Sequence, residues 1–128
     1  MSVITDPLAW VQRAEEDFST ARYALQRKTP ATYIACFHAQ QCAEKYLKAL
    51  LIAHNAAFPK THDLQILTDL CTQNNILIGV PPRHLHDLSD YAARVRYPGN
   101  DPTLEEARDA VAISRAIRLI ARKFLGIR

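Results

Sequence analysis

Gln41, Glu44, Lys45 and Lys48 stand three and four residues apart in the chain, a spacing that brings side chains together on one face of a helix. An amide, a carboxylate and two ammonium groups would converge there. Ammonium groups neutralise a phosphate, while amide and carboxylate groups discriminate the edges of a nucleobase. The same set also suits a solvated or dimer-facing salt-bridge network, the commoner use of Glu and Lys at this spacing. Spacing alone leaves both readings open.

His62 follows Lys60 and Thr61 at an expected helix start, where free N–H groups favour an anion or a buried acceptor. A structural hydrogen-bonding role is the simpler expectation, because spacing identifies no partner for proton transfer. Arg94, Arg96 and Tyr97 precede Pro98, so two guanidinium groups and a phenol fall where a helix gives way to a loop. Arg96 can serve a ligand there, or donate to the last carbonyls of its own helix or to an acidic neighbour. Arg108, Arg115, Arg118 and Arg122 form a stripe on the last helix. It could track a phosphate backbone, but a solvated face complementing the helix dipole is the preferred reading.

No metal site is expected. His84 and His86 are two residues apart, which on a helix points them about 200° apart, away from a common ion. No Gly-rich phosphate loop, Cys-x-x-Cys pair or Gly-x-Ser-x-Gly elbow occurs, and these are the commonest cofactor and hydrolase motifs. No cofactor is therefore expected.

Helices must position these groups. The chain has three glycines and seven prolines in 128 residues, little material for the tight turns of a β-rich fold. Asp6 and Pro7 predict a first helix to about Gln26, with Trp10, Ala14, Phe18, Ala21 and Leu25 as its apolar stripe. Thr29 and Pro30 repeat the cap-then-proline signal and predict a second helix to about His54. Its Cys36, Ala39, Ala43, Tyr46, Leu47 and Leu50 share an apolar face. His38, Gln41, Lys45 and Lys48 lie on another face, with Glu44 at the margin. Thr61 or Asp63 can cap a third helix, carrying Leu64, Leu67, Leu70 and Cys71 as far as Asn74 and Asn75. A shorter fourth runs from about Pro82 to Arg94, with Leu85, Leu88, Tyr91 and Ala92 inward. Thr103 and Glu106 form a capping box for the fifth, whose Ala110, Ile113, Ile117, Ile120, Ala121 and Phe124 face inward until Gly126. The expectation is an all-α antiparallel up-and-down bundle of four main helices plus a short additional one.

Hydrophobic residues make up 48% of the chain and charged residues 23%, which predicts a single domain over residues 1–128. The net charge of +3 does not by itself imply a nucleic-acid binder. The basic excess sits in residues 103–128, with six basic and three acidic groups. Cys36, Cys42 and Cys71 are an odd set, and no signal peptide is evident, so reduced thiols and a cytoplasmic location are expected. No apolar run approaches the roughly 18 residues of a membrane span.

The segment containing Gln41, Glu44, Lys45, Lys48 and Ala49 resembles the Gln-x-x-Glu-Lys-x-x-Lys-Ala core of the HEPN family. This nucleotide-binding domain is named for its presence in higher eukaryotes and prokaryotes. Trp10, Ala14, Asp17 and Ala21 are similar to the family's first-helix pattern. Lys60-Thr61-His62-Asp63-Leu64 is similar to its Lys-Thr-His-x-Leu segment, and Arg96-Tyr97-Pro98 to its Arg-Tyr-Pro element. Together they cover about residues 8 to 120 in the family's order.

The resemblance implies a homodimer and a module that binds a nucleotide or RNA without catalysis of its own. A small partner nucleotidyltransferase, often encoded beside minimal members of the family, is the implied protein partner. Gln41, Glu44, Lys45, Lys48, His62, Arg96 and Tyr97 are the implied nucleotide-binding residues. Ribonuclease members carry an Arg, four to six intervening residues and a His, but none of the five histidines here has an arginine at that distance upstream. A metal-independent ribonuclease toxin of a toxin–antitoxin pair is therefore the second expectation, and a purely structural dimeric subunit a third.

Overall fold

The structure, a computed structural model, describes residues 5–94 and 98–128. Five helices and no strand occur among the described residues: α1 (Pro7–Gln26), α2 (Thr32–Ala53), α3 (Leu64–Gln73), α4 (Pro82–Ala93) and α5 (Leu104–Leu125). Their ends follow local side-chain chemistry. The Asp6 carboxylate accepts from the Leu8 N–H at 3.0 Å, and Pro7 opens α1. Asp63, rather than Thr61, caps α3 by accepting from the Gln65 and Ile66 N–H groups. Thr61 instead accepts from the Asp63 N–H at 3.0 Å. At α5 both bonds of the capping box form, and Gly126 closes the helix at φ 71, a left-handed conformation that glycine enters without a Cβ clash.

The start of α2 differs from the expectation drawn from Thr29 and Pro30. The helix begins at Thr32, with Ala31 at the cap position and no side-chain capping bond. The Ala31 N–H reaches back to the Ala24 carbonyl at 3.0 Å. Residues 27–31 thus close the turn between α1 and α2, and the cap-then-proline pair lies within the turn.

α1 runs antiparallel to α2, and α4 to α5, whereas α2 and α5 pack in parallel. Ala24 meets Ala31 at one end of α1 and α2, and Glu15 meets Tyr46 further along. Tyr91 of α4 and Arg94 at its C-cap meet Asp109 and Glu106 of α5 in reversed order. α1, α2, α4 and α5 form the bundle, and the ten-residue α3 is the additional element, packed on α2 and α4. Small side chains bring the helices together: Ala14 and Ala21 of α1, Ala35 and Ala39 of α2, and Ala107 and Ala110 of α5 are wholly buried. The larger Leu47, Leu50, Leu51, Leu67, Leu88 and Ile117 are buried between them; close-packed interiors leave few voids larger than a water.

α2 is the axis of this arrangement, touching each of the other four helices. Its expected apolar face is buried, and burial extends to Gln40, Cys42 and Glu44. The apolar stripes of other helices shift slightly. Trp10, Ile120 and Tyr91 are only half-buried and Phe124 is exposed, whereas Val11, Ala107, Val111 and Ser114 complete the core. The three cysteines are free and buried, and burial pushes each thiol up to about 12. Among the described residues, no helix is long and apolar enough to cross a membrane.

Candidate functional site

The polar residues of α2 are drawn into three carboxylate-centred groups. Glu44, with 4% of its side chain exposed, stands at the centre of the first. Its Oε2 accepts from the Lys48 ammonium at 3.0 Å, and its Oε1 accepts from the Gln40 amide at 3.4 Å. The His62 ring approaches both oxygens, with Nδ1 at 3.0 and 3.1 Å. A carboxylate can only accept, so this contact places the proton on Nδ1. The ring's other nitrogen, Nε2, lies on the opposite edge of a side chain that is 84% exposed. Gln40 also donates to the His62 carbonyl at 3.2 Å. His62 is therefore anchored through both its backbone and its ring, leaving Nε2 available.

The Lys48 ammonium is already engaged. Only 12% of its side chain is exposed, its ammonium pairs with Glu44, and it lies 5.8 Å from the ring centres of both Trp10 and Phe58. The aromatic faces add attraction to a largely desolvated cation. The Lys48 ammonium balances the charge of the buried Glu44.

The second group joins α2 to α1. The Asp17 carboxylate accepts from His38 Nδ1 at 2.8 Å and from Lys45 Nζ at 2.5 Å. Lys45 is thus engaged on the α1 side, away from the Glu44 group. Beside it, the Phe37 ring meets the His38 ring edge to face, with 5.2 Å between centres and 89° between planes.

The third group consumes part of the arginine stripe on α5. Arg118 donates twice to Glu15, at 2.6 and 2.8 Å, and Arg122 donates to the Tyr46 hydroxyl at 3.2 Å. Tyr46 in turn donates to Glu15. Arg108 and Arg115 remain exposed, so the stripe divides into paired and exposed arginines. The Arg118 hydrogen bonds hold the Glu15 carboxyl below the usual carboxylate range against the opposing effect of burial, whereas burial raises the Tyr46 hydroxyl and keeps it a neutral donor.

A cleft of about 370 Å³ opens between α2 and α4, lined by Phe37, Gln40, Gln41, His62, Ser89 and Ala92. It continues beyond His62 and Ser89 into a recess bordered by Asp63, Gln65, Pro82 and His86. Of the residues expected to bind a nucleotide, Gln41 and His62 reach this cleft directly. Gln41 donates to Gln40 at 3.2 Å, which extends the hydrogen-bonded chain from Glu44 to the cleft surface. Glu44 and Lys48 stand behind His62, and Lys45 stands apart with Asp17. Arg96 and Tyr97 lie outside the described residues.

Sequence reasoning passed over Gln40, Phe37 and Ser89. Gln40 had a signal in its i,i+4 relation to Glu44; Ser89, brought by α4 from far along the chain, had none. His84 and His86 join no group of three potential ligands able to hold a metal ion among the described residues.

The family model for the HEPN domain matches residues 8–124. The chain belongs to the HEPN family. Two solved structures share the HEPN helical bundle seen here. TT1696 from Thermus thermophilus is 24% identical, with a TM-score of 0.74, over 94% of this chain and 99% of its own. ST0689, described as an archaeal HEPN homologue, is also 24% identical, with a TM-score of 0.62, over 92% of this chain and 97% of its own. At that identity the likeness shows the fold alone. No curated protein matches the chain.

Proposed function

We propose that this HEPN protein is a cytoplasmic recognition module for a nucleotide or RNA, acting without catalysis of its own as a homodimer beside a small nucleotidyltransferase. The observation carrying the recognition role is His62, an exposed imidazole anchored by a buried carboxylate at the mouth of the α2–α4 cleft. Its neutral Nε2 accepts a hydrogen bond from a base amino group or a sugar hydroxyl, and its protonated form donates to phosphate. Gln41 supplies an amide on the same wall, and Phe37 an apolar surface for a base. Glu44, Lys48 and Gln40 act by holding His62. Lys45 supports the neighbouring part of α2 through Asp17. Arg96 and Tyr97 are assigned to the ligand by family resemblance.

Calorimetric titration with a nucleotide panel and short single-stranded RNA, alongside an RNA-integrity assay in chelator, tests this role. The expected result is saturable binding with intact RNA, weakened at least tenfold by His62→Ala or Gln41→Ala and unchanged by Lys123→Ala on α5. Binding insensitive to both cleft substitutions would overturn the assignment.

The Glu44–His62 pair also supports a second reading, since a carboxylate-backed imidazole is suited to proton transfer. On that reading the protein is a metal-independent ribonuclease in which His62 takes the proton from an RNA hydroxyl. Cleavage in chelator that disappears in His62→Ala would select it over the binding module.

A further inference from the structure

We infer that the cleft extends along α2 into a stacking track for single-stranded RNA, on which Tyr33 and Phe37 hold successive bases. This rests on the proposal that nucleotides bind in the cleft, and specifies how much of a strand the protein reads. Tyr33 and Phe37 are 44% and 41% exposed, although α2 is otherwise the most enclosed helix of the bundle. They are four residues apart on one face, about 6 Å along the axis at about 1.5 Å per residue. That advance suits consecutive bases of an extended strand, and aromatic rings accept bases with little sequence preference.

The track is continuous with the cleft because Phe37 also lines it, beside Gln41 and His62. Phe37 is held in place through its neighbour: its ring abuts His38, and His38 is bonded to the buried Asp17. A ring fixed before the ligand arrives loses little freedom on binding.

The charges nearby argue for stacking over phosphate tracking. Lys45 pairs with Asp17 and Lys48 pairs with Glu44, so both lysine charges beside the track are already balanced. Each phosphate neutralised on a single strand contributes about −0.7 to the slope of log affinity against log salt. Here the expected slope has a magnitude of about 1, equivalent to one or two phosphates.

Fluorescence anisotropy with labelled AMP and with oligoadenylates of two, three and six nucleotides, repeated over a range of salt, reads both properties. Affinity should climb from AMP to the trinucleotide and then level off, with the shallow slope. Stacking one base contributes roughly five- to hundredfold in affinity. Tyr33→Ala should therefore weaken the trinucleotide about tenfold while leaving AMP unchanged, and Tyr33→Phe should restore it. Both substitutions are on the exposed face of a folded helix, and unchanged thermal melting verifies that the bundle is intact. Equal affinity for AMP and the trinucleotide would overturn the track while preserving the cleft. Absence of binding to any of the probes would overturn both. If Tyr33→Ala turned a dimer into a monomer in sedimentation without changing RNA affinity, the aromatic surface would belong to a second copy of the chain, and the track would again be rejected.

Discussion

Lys48 shows how burial changes the role of a residue whose spacing suggests ligand contact. Its ammonium neutralises Glu44, which is otherwise satisfied by the neutral Gln40 amide and by His62. Lys48→Met would leave the carboxylate buried without its cation, at a cost of about 3–5 kcal/mol typical of a broken buried pair. Pairing Lys48→Met with Glu44→Gln should recover much of that loss, because the stranded charge is gone. Urea denaturation of the two single variants and the double variant would measure the coupling; strictly additive losses would show that the pair contributes no mutual stabilisation. The spacing of Gln41, Glu44, Lys45 and Lys48 was legible as one helix face, because i,i+3 and i,i+4 steps require it. Their separation into two groups was not. That depends on Asp17, which α1 brings to Lys45, and on His62, which the segment after α2 brings to Glu44. A helical wheel shows which residues share a face; it carries no information about what packs against that face.

At the scale of the helix, boundaries were legible where one side chain satisfies the exposed end of its own helix. Asp6 at α1 and Thr103 at α5 behave in that way. Thr29 failed as a cap because the turn closes through the backbone, from Ala31 to Ala24. The stop at Gly126 was also readable, since only a residue tolerant of positive φ ends a helix comfortably in that conformation. The capping box at α5 also ties two helices together, because the Glu106 oxygen that accepts from the Thr103 N–H accepts from Arg94 as well, at 2.8 Å. It links the start of α5 to the end of α4, beyond the cleft wall formed by Ser89 and Ala92. Thr103→Ala should cost about 1 kcal/mol, the usual value of a lost N-cap, while Thr103→Ser should remain near the original stability. Thermal melting of the pair separates the hydroxyl from the methyl group. An equal loss in both would assign the effect to side-chain packing.

Across the whole molecule, Glu15 joins three helices through Arg118 and Arg122 of α5 and Tyr46 of α2. This convergence was hidden in the sequence, where the arginines read as a stripe on one helix and Glu15 is the first of three consecutive acids more than a hundred positions away. Its consequence is a defined response to acid. Glu15 is held below the usual carboxylate range by Arg118, and Glu106 by the Thr103 backbone N–H followed by Arg94. A carboxyl depressed in the folded state binds its proton more weakly there than in the unfolded chain. Its stabilising contribution is therefore complete above the unfolded value of about 4.3 and disappears as pH falls through the lower folded value. Both side chains are partly exposed, and solvent screening limits the contribution of each. Glu15→Gln should lower stability by about 1–2 kcal/mol at pH 7, with a difference that closes progressively below pH 4.3. Urea denaturation of the original chain and Glu15→Gln between pH 7 and pH 2.5 measures this directly. Convergence of the two curves in acid would identify the loss with ionised Glu15; curves remaining parallel throughout would identify it with the shape of the side chain and remove charge from the joint.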